Sequence, residues 1–318
     1  MADSTGQKPG QPGLGWGELL DQLVAEHGTW SAVAWRLIGT AEGDDVASVE
    51  RALRRLRARG QKDGGVWGQR VLRTFGVPAA IDARLRWMGL YHSPFNDLPV
   101  SLCYDQLRLW DRPPVSESRA RVWVQLGLTS SALRSRRFPE AAAHLRAAAA
   151  VAEGDAAPLE VALVEAYLAS RLDQPPMLAR AEALLPHVRD PADAACFAAR
   201  LADQQAYQLN RRGEHAAALA LYQALPAQDL HPFASYRRDS GLAYGHHRAG
   251  DRDLALRLAQ QACEHAGDGG YVRLRVMGLL MVHRIAPDPA VLARALAMAT
   301  RLEDTELLAR IARRAAPG

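Results

Sequence analysis

The chain has 318 residues, 48% of them hydrophobic, and a formal net charge of +4. That is enough apolar material for a real core, arranged as two ordinary domains or one long repeat array. No apolar run is long enough to span a membrane, and the three cysteines, Cys103, Cys196 and Cys263, form no CxxC pair, which argues against a disulfide framework or a zinc site and suits a reducing cytoplasm.

The first stretch, "MADSTGQKPGQPGLG" (1–15), is polar and rich in Gly and Pro, without the apolar segment of a signal peptide. It reads as a disordered lead-in. Residues 16–62 then offer three helices. "ELLDQLVAEHG" ends at Gly28, Thr29 is the expected N-cap of "TWSAVAWRL", and Asp44 or Asp45 caps a third helix that buries Val46, Val49, Leu53 and Leu56 and stops at Gly60. The third helix opens a basic block. From Arg51 to Arg86 ten basic residues stand against only Asp63 and Asp82, a pattern that attracts polyanions or acidic partners. Elsewhere the scarcity of Lys beside abundant Arg and Ala reads as a bacterial-type base-composition bias.

With "HGTWSAVAWRL" as positioning helix and "ASVERALRRLRARG" as recognition helix, residues 16–62 resemble a helix-turn-helix of the Fis-like sort. That resemblance implies DNA contact by Ser48 and Arg51 near the helix start, and by Arg54, Arg55 and Arg59 on phosphates. Against it, the connection "IGTAEGDD" is longer than a tight turn and carries Glu42, Asp44 and Asp45, which phosphate would repel. A DNA reader and a solvated helical cap both stand.

Residues 63–118 form a connector with the densest aromatic content of the chain, including Trp67, Phe75, Trp87, Tyr91, Phe95, Tyr104 and Trp110. Their helical spacing makes core packing the default expectation, and "YHSPFNDLP" reads as a structured loop.

From 119 on, no period-2 strand pattern occurs. Apolar residues recur at helical spacing between Gly and Pro breaks such as "RDP" (189–191), "RRG" (211–213), "RAGD" (248–251) and "APDP" (286–289). The fold class is therefore all-α. Two segments, "AYQLNRRGEHAAALALYQAL" and "AYGHHRAGDRDLALRLAQQA", repeat with Gly213 and Gly250 37 residues apart. A small residue followed twelve positions later by Ala can be placed five times, as Thr129/Ala141, Ala169/Ala181, Ala206/Ala218, Ala243/Ala255 and Gly278/Ala290, at steps of 40, 37, 37 and 35. Over 119–302 the chain thus resembles tetratricopeptide (TPR) repeats, in which such a pair lets two helices approach closely. The resemblance implies a right-handed solenoid of five helical hairpins, with 303–318 as a C-terminal capping helix. The first copy departs from the family pattern in register, and the second has "QPP" where Gly is usual.

The resemblance further implies a concave face lined by the first helix of each hairpin. Carried onto this chain, the ligand-facing positions fall on Arg200, Asp203, Tyr207, Asn210 and Arg211, then on Arg237, Tyr244, His247 and Arg248, and continue with Arg275. Such a groove suits a protein or peptide partner with acidic groups, because Arg forks hold carboxylates and Tyr adds contact area. No phosphate-cradling, dinucleotide, zinc-protease or nucleophile-elbow motif occurs. The sequence therefore reads as a non-enzymatic cytoplasmic adaptor without cofactor, metal or membrane contact, with a transcription regulator carrying a TPR-like sensor and oligomerisation region as the alternative.

Overall fold

The computed structural model describes residues 13–39, 45–227 and 231–315. Every regular element among them is helical. None of these helices is long and apolar enough to cross a membrane. The chain divides into two compact units, one of residues 1–86 with 105–124, the other of residues 87–104 with 125–318. The lead-in expected over 1–15 falls mostly outside the described residues.

In the first unit, α1 (Trp16–His27), α2 (Trp30–Ile38) and α3 (Val46–Arg57) pack mutually, and α4 (Gly65–Phe75) packs on α2 and α3. Local chemistry sets the ends. Gly28, at φ 91°, closes α1, Thr29 accepts from the Ala32 amide at 3.1 Å, and Asp45 accepts from the Ser48 amide at 2.9 Å. These are side-chain caps of the kind worth about 1 kcal/mol each. Asp44, the other candidate cap, and Glu42 lie outside the described residues. Trp16 is the buried anchor: its indole Nε1 donates to the Lys62 carbonyl at 2.9 Å, and its ring fills the space above Gly64, where a Cβ would stand 2.2 Å away.

The chain continues through α5 (Ala79–Gly89), a 3-10 turn at Pro94–Asp97, α6 (Val100–Trp110) and α7 (Arg121–Arg134). Phe95 and Trp110 are buried, as core packing of the aromatic stretch requires, whereas Trp87 stays exposed.

The second unit holds α8 (Phe138–Ala149), α9 (Ala156–Arg171), α10 (Ala179–Leu184), α11 (Pro191–Arg211), α12 (His215–Gln223), α13 (Pro232–Ala249), α14 (Arg252–Asp268), α15 (Val272–Ile285), α16 (Pro289–Arg301) and α17 (Thr305–Ala315). From α11 onward each helix packs on its successor. In addition α9, α11, α13, α15 and α17 pack in series, each on the next odd-numbered helix. The breaks read from the sequence are helix starts: Asp190 caps α11 ahead of Pro191, Asp251 caps α14, and Asp288 caps α16 ahead of Pro289. Pro is favoured there because the first turn has no use for its missing N–H.

Small residues let the helices close. Thr129, Ala141, Ala181, Ala206, Ala218, Ala243, Ala255 and Gly278 are buried, but Ala169 is only half-buried and Ala290 is exposed. On α16 the buried small residues are Ala295 and Ala299 instead. Gly241 of α13 faces the Tyr222 ring so closely that a Cβ would stand 2.2 Å from it. Gly241→Ala gains about 1 kcal/mol of helix propensity but overpacks a buried ring at a cost of about 1–3 kcal/mol. A lowered urea midpoint at unchanged slope is expected; a raised midpoint would mean that Tyr222 moves aside freely.

Candidate functional site

The helices α9, α11, α13, α15 and α17, packed in series, carry the candidate face, and α11 and α13 bear the sequence-selected residues from N- to C-terminus. The face has two halves of different character. In the first half Arg134, Arg200, Arg237 and Arg273 are buried, and each meets an acid of the chain. Arg200 forms a bidentate pair with Glu160, at 2.5 and 2.9 Å, and both are buried. Arg237 donates to Asp203 at 2.8 Å, and Tyr222 donates its hydroxyl to the same carboxylate at 2.9 Å. One helix further on, Arg273 donates through Nε to Asp304 at 2.8 Å and through Nη1 to the Tyr91 hydroxyl at 2.9 Å. Arg134 donates to Asp304 as well, at 3.0 Å. Glu306, also buried, receives Arg171 at 2.7 Å and Arg310 at 3.1 Å.

What covers this half is the segment 91–98 of the same unit. Tyr91 is ringed by guanidiniums, with Arg200, Arg273 and Arg237 at 4.6, 5.8 and 6.0 Å from its centroid. The segment is tied down through its backbone: Tyr271 donates to the His92 carbonyl at 2.9 Å and Arg134 to that of Leu98 at 2.9 Å. The Arg273 amide donates to Asp97, and His92 Nε2 meets Asp193 at 2.9 Å. Burial alone would raise the Tyr91 phenol, but the positive charges of Arg273, Arg237 and Arg200 outweigh it and bring the pKa down to about 8. For Asp97 burial wins, and its carboxyl is pushed up to about 6.

The second half is open. Tyr207 is 50% exposed, and Arg211 lies 6.0 Å from its ring centroid and 3.7 Å from Asp173. His215 bridges Asn210, at 2.8 Å, and the exposed Arg248, at 2.9 Å. Tyr244 is half-buried beneath the Arg284 guanidinium, 5.0 Å from its centroid. Partial burial lowers the His247 pKa, and Arg284, Arg248, Arg252 and Arg314 lower it further. Arg275 sits beside Cys263 of α14, and Arg273, two residues earlier, takes the inward position.

Neither a protein-family model, nor a curated protein, nor a solved structure matches the chain.

In the first unit α3 presents its arginines unequally. Ser48 is held by Asp45, at 2.6 Å from its hydroxyl, and Arg51 donates to Ser48 Oγ at 2.8 Å. Arg54 lies over Trp30 at 5.4 Å and within 3.7 Å of Glu50. Arg57 is taken by a bidentate pair with Asp21 and Arg59 by the Asp63 carbonyl. Arg51 and Arg55 are exposed, with no carboxylate in ion-pair reach among the described residues.

No group of three or more His, Cys, Asp or Glu is arranged to hold a metal ion among the described residues. Burial raises the thiols of Cys103, Cys196 and Cys263, that of Cys263 to about 11.

Sequence reasoning did not single out Tyr91, Glu160, Arg273 or Asp304 as partners. A usable signal was present: Glu160 in "PLEVALV" and Arg273 in "YVRLRVMGLL" are charges set among apolar residues. Such charges persist only when paired.

The arrangement around Tyr91 has a direct spectroscopic consequence. The Tyr91 phenol is expected to ionise near pH 8, and Tyr91→Phe to remove that step from the tyrosinate absorbance titration. Because the folded pKa lies below the ordinary 10, ionisation favours the fold. The contribution, about 2–3 kcal/mol, is absent well below pH 8 and complete above pH 10. A titration with no tyrosinate step near pH 8 would contradict the guanidinium ring around Tyr91.

Proposed function

We propose that the chain is a non-enzymatic adaptor built as a right-handed TPR-like solenoid over 119–302. It holds an extended, acidic segment of a partner protein against the open half of the shared face. The observation that carries this reading is the row of accessible Tyr207, Arg211, Tyr244, His247 and Arg248, which continues the buried Arg200 and Arg237 on the same two helices. Asp203, Arg200 and Arg237 then shape the floor of the groove rather than grip the ligand, because their charges are already matched within the chain. Packing of successive odd-numbered helices supports the solenoid, and free thiols at Cys103, Cys196 and Cys263 suit a reducing cytoplasm.

Charge reversal at the open positions tests this. Arg211→Glu with Arg248→Glu is expected to reduce partner capture at least about tenfold, a loss typical of two disrupted hot-spot contacts, with helicity intact. Arg257→Glu on α14, away from the row, should leave capture unchanged. Capture indifferent to the double variant overturns the groove assignment.

A second reading has its own observation: Arg51 and Arg55 of α3 are exposed, with no carboxylate in ion-pair reach among the described residues, which suits phosphate contact. Under it the first unit binds duplex DNA and the second senses a ligand or oligomerises. Affinity for mixed genomic fragments should then fall steeply with salt, and Arg51→Glu/Arg55→Glu should flatten the slope by about two units of phosphate contact. An unchanged slope in that variant leaves α3 a structural cap.

A further inference from the structure

The open half of the face is crowded with positive charge. There α13 packs on α15 and α15 on α17, and their C-terminal stretches carry Tyr244, His247 and Arg248, then Arg284 stacked over Tyr244 at 5.0 Å, then Arg313 and Arg314. A cation at a helix C-terminus complements the macrodipole, which accounts for one basic residue per helix. It does not account for their convergence. Among the described residues no carboxylate stands within ion-pair reach of Arg248, Arg284 or Arg314. Partial burial, then repulsion from Arg284, Arg310 and Arg313, holds Arg314 below the ordinary arginine value, and His247 is lowered in the same manner. The contrast with the other half is sharp, since there every buried guanidinium has an acid or a phenol.

We infer that Tyr244, His247, Arg248, Arg284 and Arg314 form an anion subsite for a phosphomonoester on the bound segment, a phosphoserine or phosphothreonine side chain. The inference rests on the adaptor reading and names the chemistry its partner must carry. A carboxylate brings one charge and two oxygens, too little for three guanidiniums. A phosphomonoester brings about −1.5 to −2 at neutral pH and three strong acceptors, and clusters of arginine are a recurrent means of reading it. Each guanidinium can present a fork of two donors to it. Stacking on Tyr244 fixes the plane of Arg284, so less freedom is lost when the anion arrives. The neutral His247 of the free protein takes up a proton as the dianion offsets its basic neighbours.

The test uses the full chain and N-acetyl-phosphoserine amide as the probe, with N-acetyl-glutamate amide and inorganic phosphate at matched ionic strength. Binding is read from the imidazole resonances of His247. The phosphoserine amide is expected to bind at least about tenfold tighter than the glutamate amide, the loss expected when a charge-assisted bidentate contact is missing, and to raise the His247 pKa. Arg284→Gln and Arg314→Gln should each weaken it comparably, and Arg284→Lys only partly. Equal binding of both amides, no binding, or indifference to both glutamine variants overturns the subsite. Inorganic phosphate binding as tightly as the amide overturns the peptide occupant.

Phosphatase treatment of the captured partner separates this inference from the reading beneath it. Capture that survives dephosphorylation yet still needs Arg211 and Arg248 sinks the phosphate and keeps the adaptor. A subsite that binds the phosphoserine amide, with capture indifferent to Arg211 and Arg248, keeps the phosphate and sinks the adaptor.

Discussion

A single buried carboxylate organises the second unit. Asp304 is fully enclosed, takes Arg134 at 3.0 Å and Arg273 at 2.8 Å, and accepts from the Leu307 amide at 3.0 Å, so that it also caps α17. Burial opposes its ionisation, and the two guanidiniums reverse that, holding the carboxyl below its ordinary value. Three distant parts of the chain, α7, α15 and the start of α17, are joined at this one group. The arrangement is all-or-none in character: each charge is tolerable only while the others are in place, and losing one partner of such a buried pair costs about 3–5 kcal/mol.

That constraint explains why the shared face is divided. Where segment 91–98 lies against the helices, Arg134, Arg200, Arg237 and Arg273 are buried, and a buried guanidinium needs an acid or a phenol; Glu160, Asp203, Asp304 and Tyr91 fill these roles. Where the segment ends, solvent screens the charges and no such demand exists. Basic residues can then gather, as Arg248, Arg284 and Arg314 do, at modest energetic cost. The residue types along α11 and α13 are alike in the two halves, but their surroundings make one half framework and leave the other open to solvent.

Much of the fold was legible because its determinants are local. Gly28, Thr29, Asp190–Pro191, Asp251 and Asp288–Pro289 announce helix boundaries within a few residues of themselves, and helical apolar spacing gave the all-α class. The candidate face was legible only by residue type. Tyr91 lies 182 positions from Arg273, and Arg134 lies 170 from Asp304. No periodicity within a helix encodes such pairings. Phase also slipped at the last repeat. Five residues separate the exposed Ala290 from the buried Ala295. In an alanine-rich helix several phases look alike, and only tertiary packing chooses among them. On α3 the arginines were visible, but not their inequality, because Asp21 reaches Arg57 from a different helix.

The enclosure of Asp304 also sets how this chain can drift. Replacing the carboxylate strands two guanidiniums at once, and replacing either guanidinium leaves a buried acid short of charge. Positions 134, 273 and 304 are therefore expected to change together or not at all along a lineage. Arg248 and Arg314 are exposed and Arg284 is half-buried, and none of the three holds a buried charge in place. Selection on the framework thus acts on triplets, while the open end can change one residue at a time without reopening the interior.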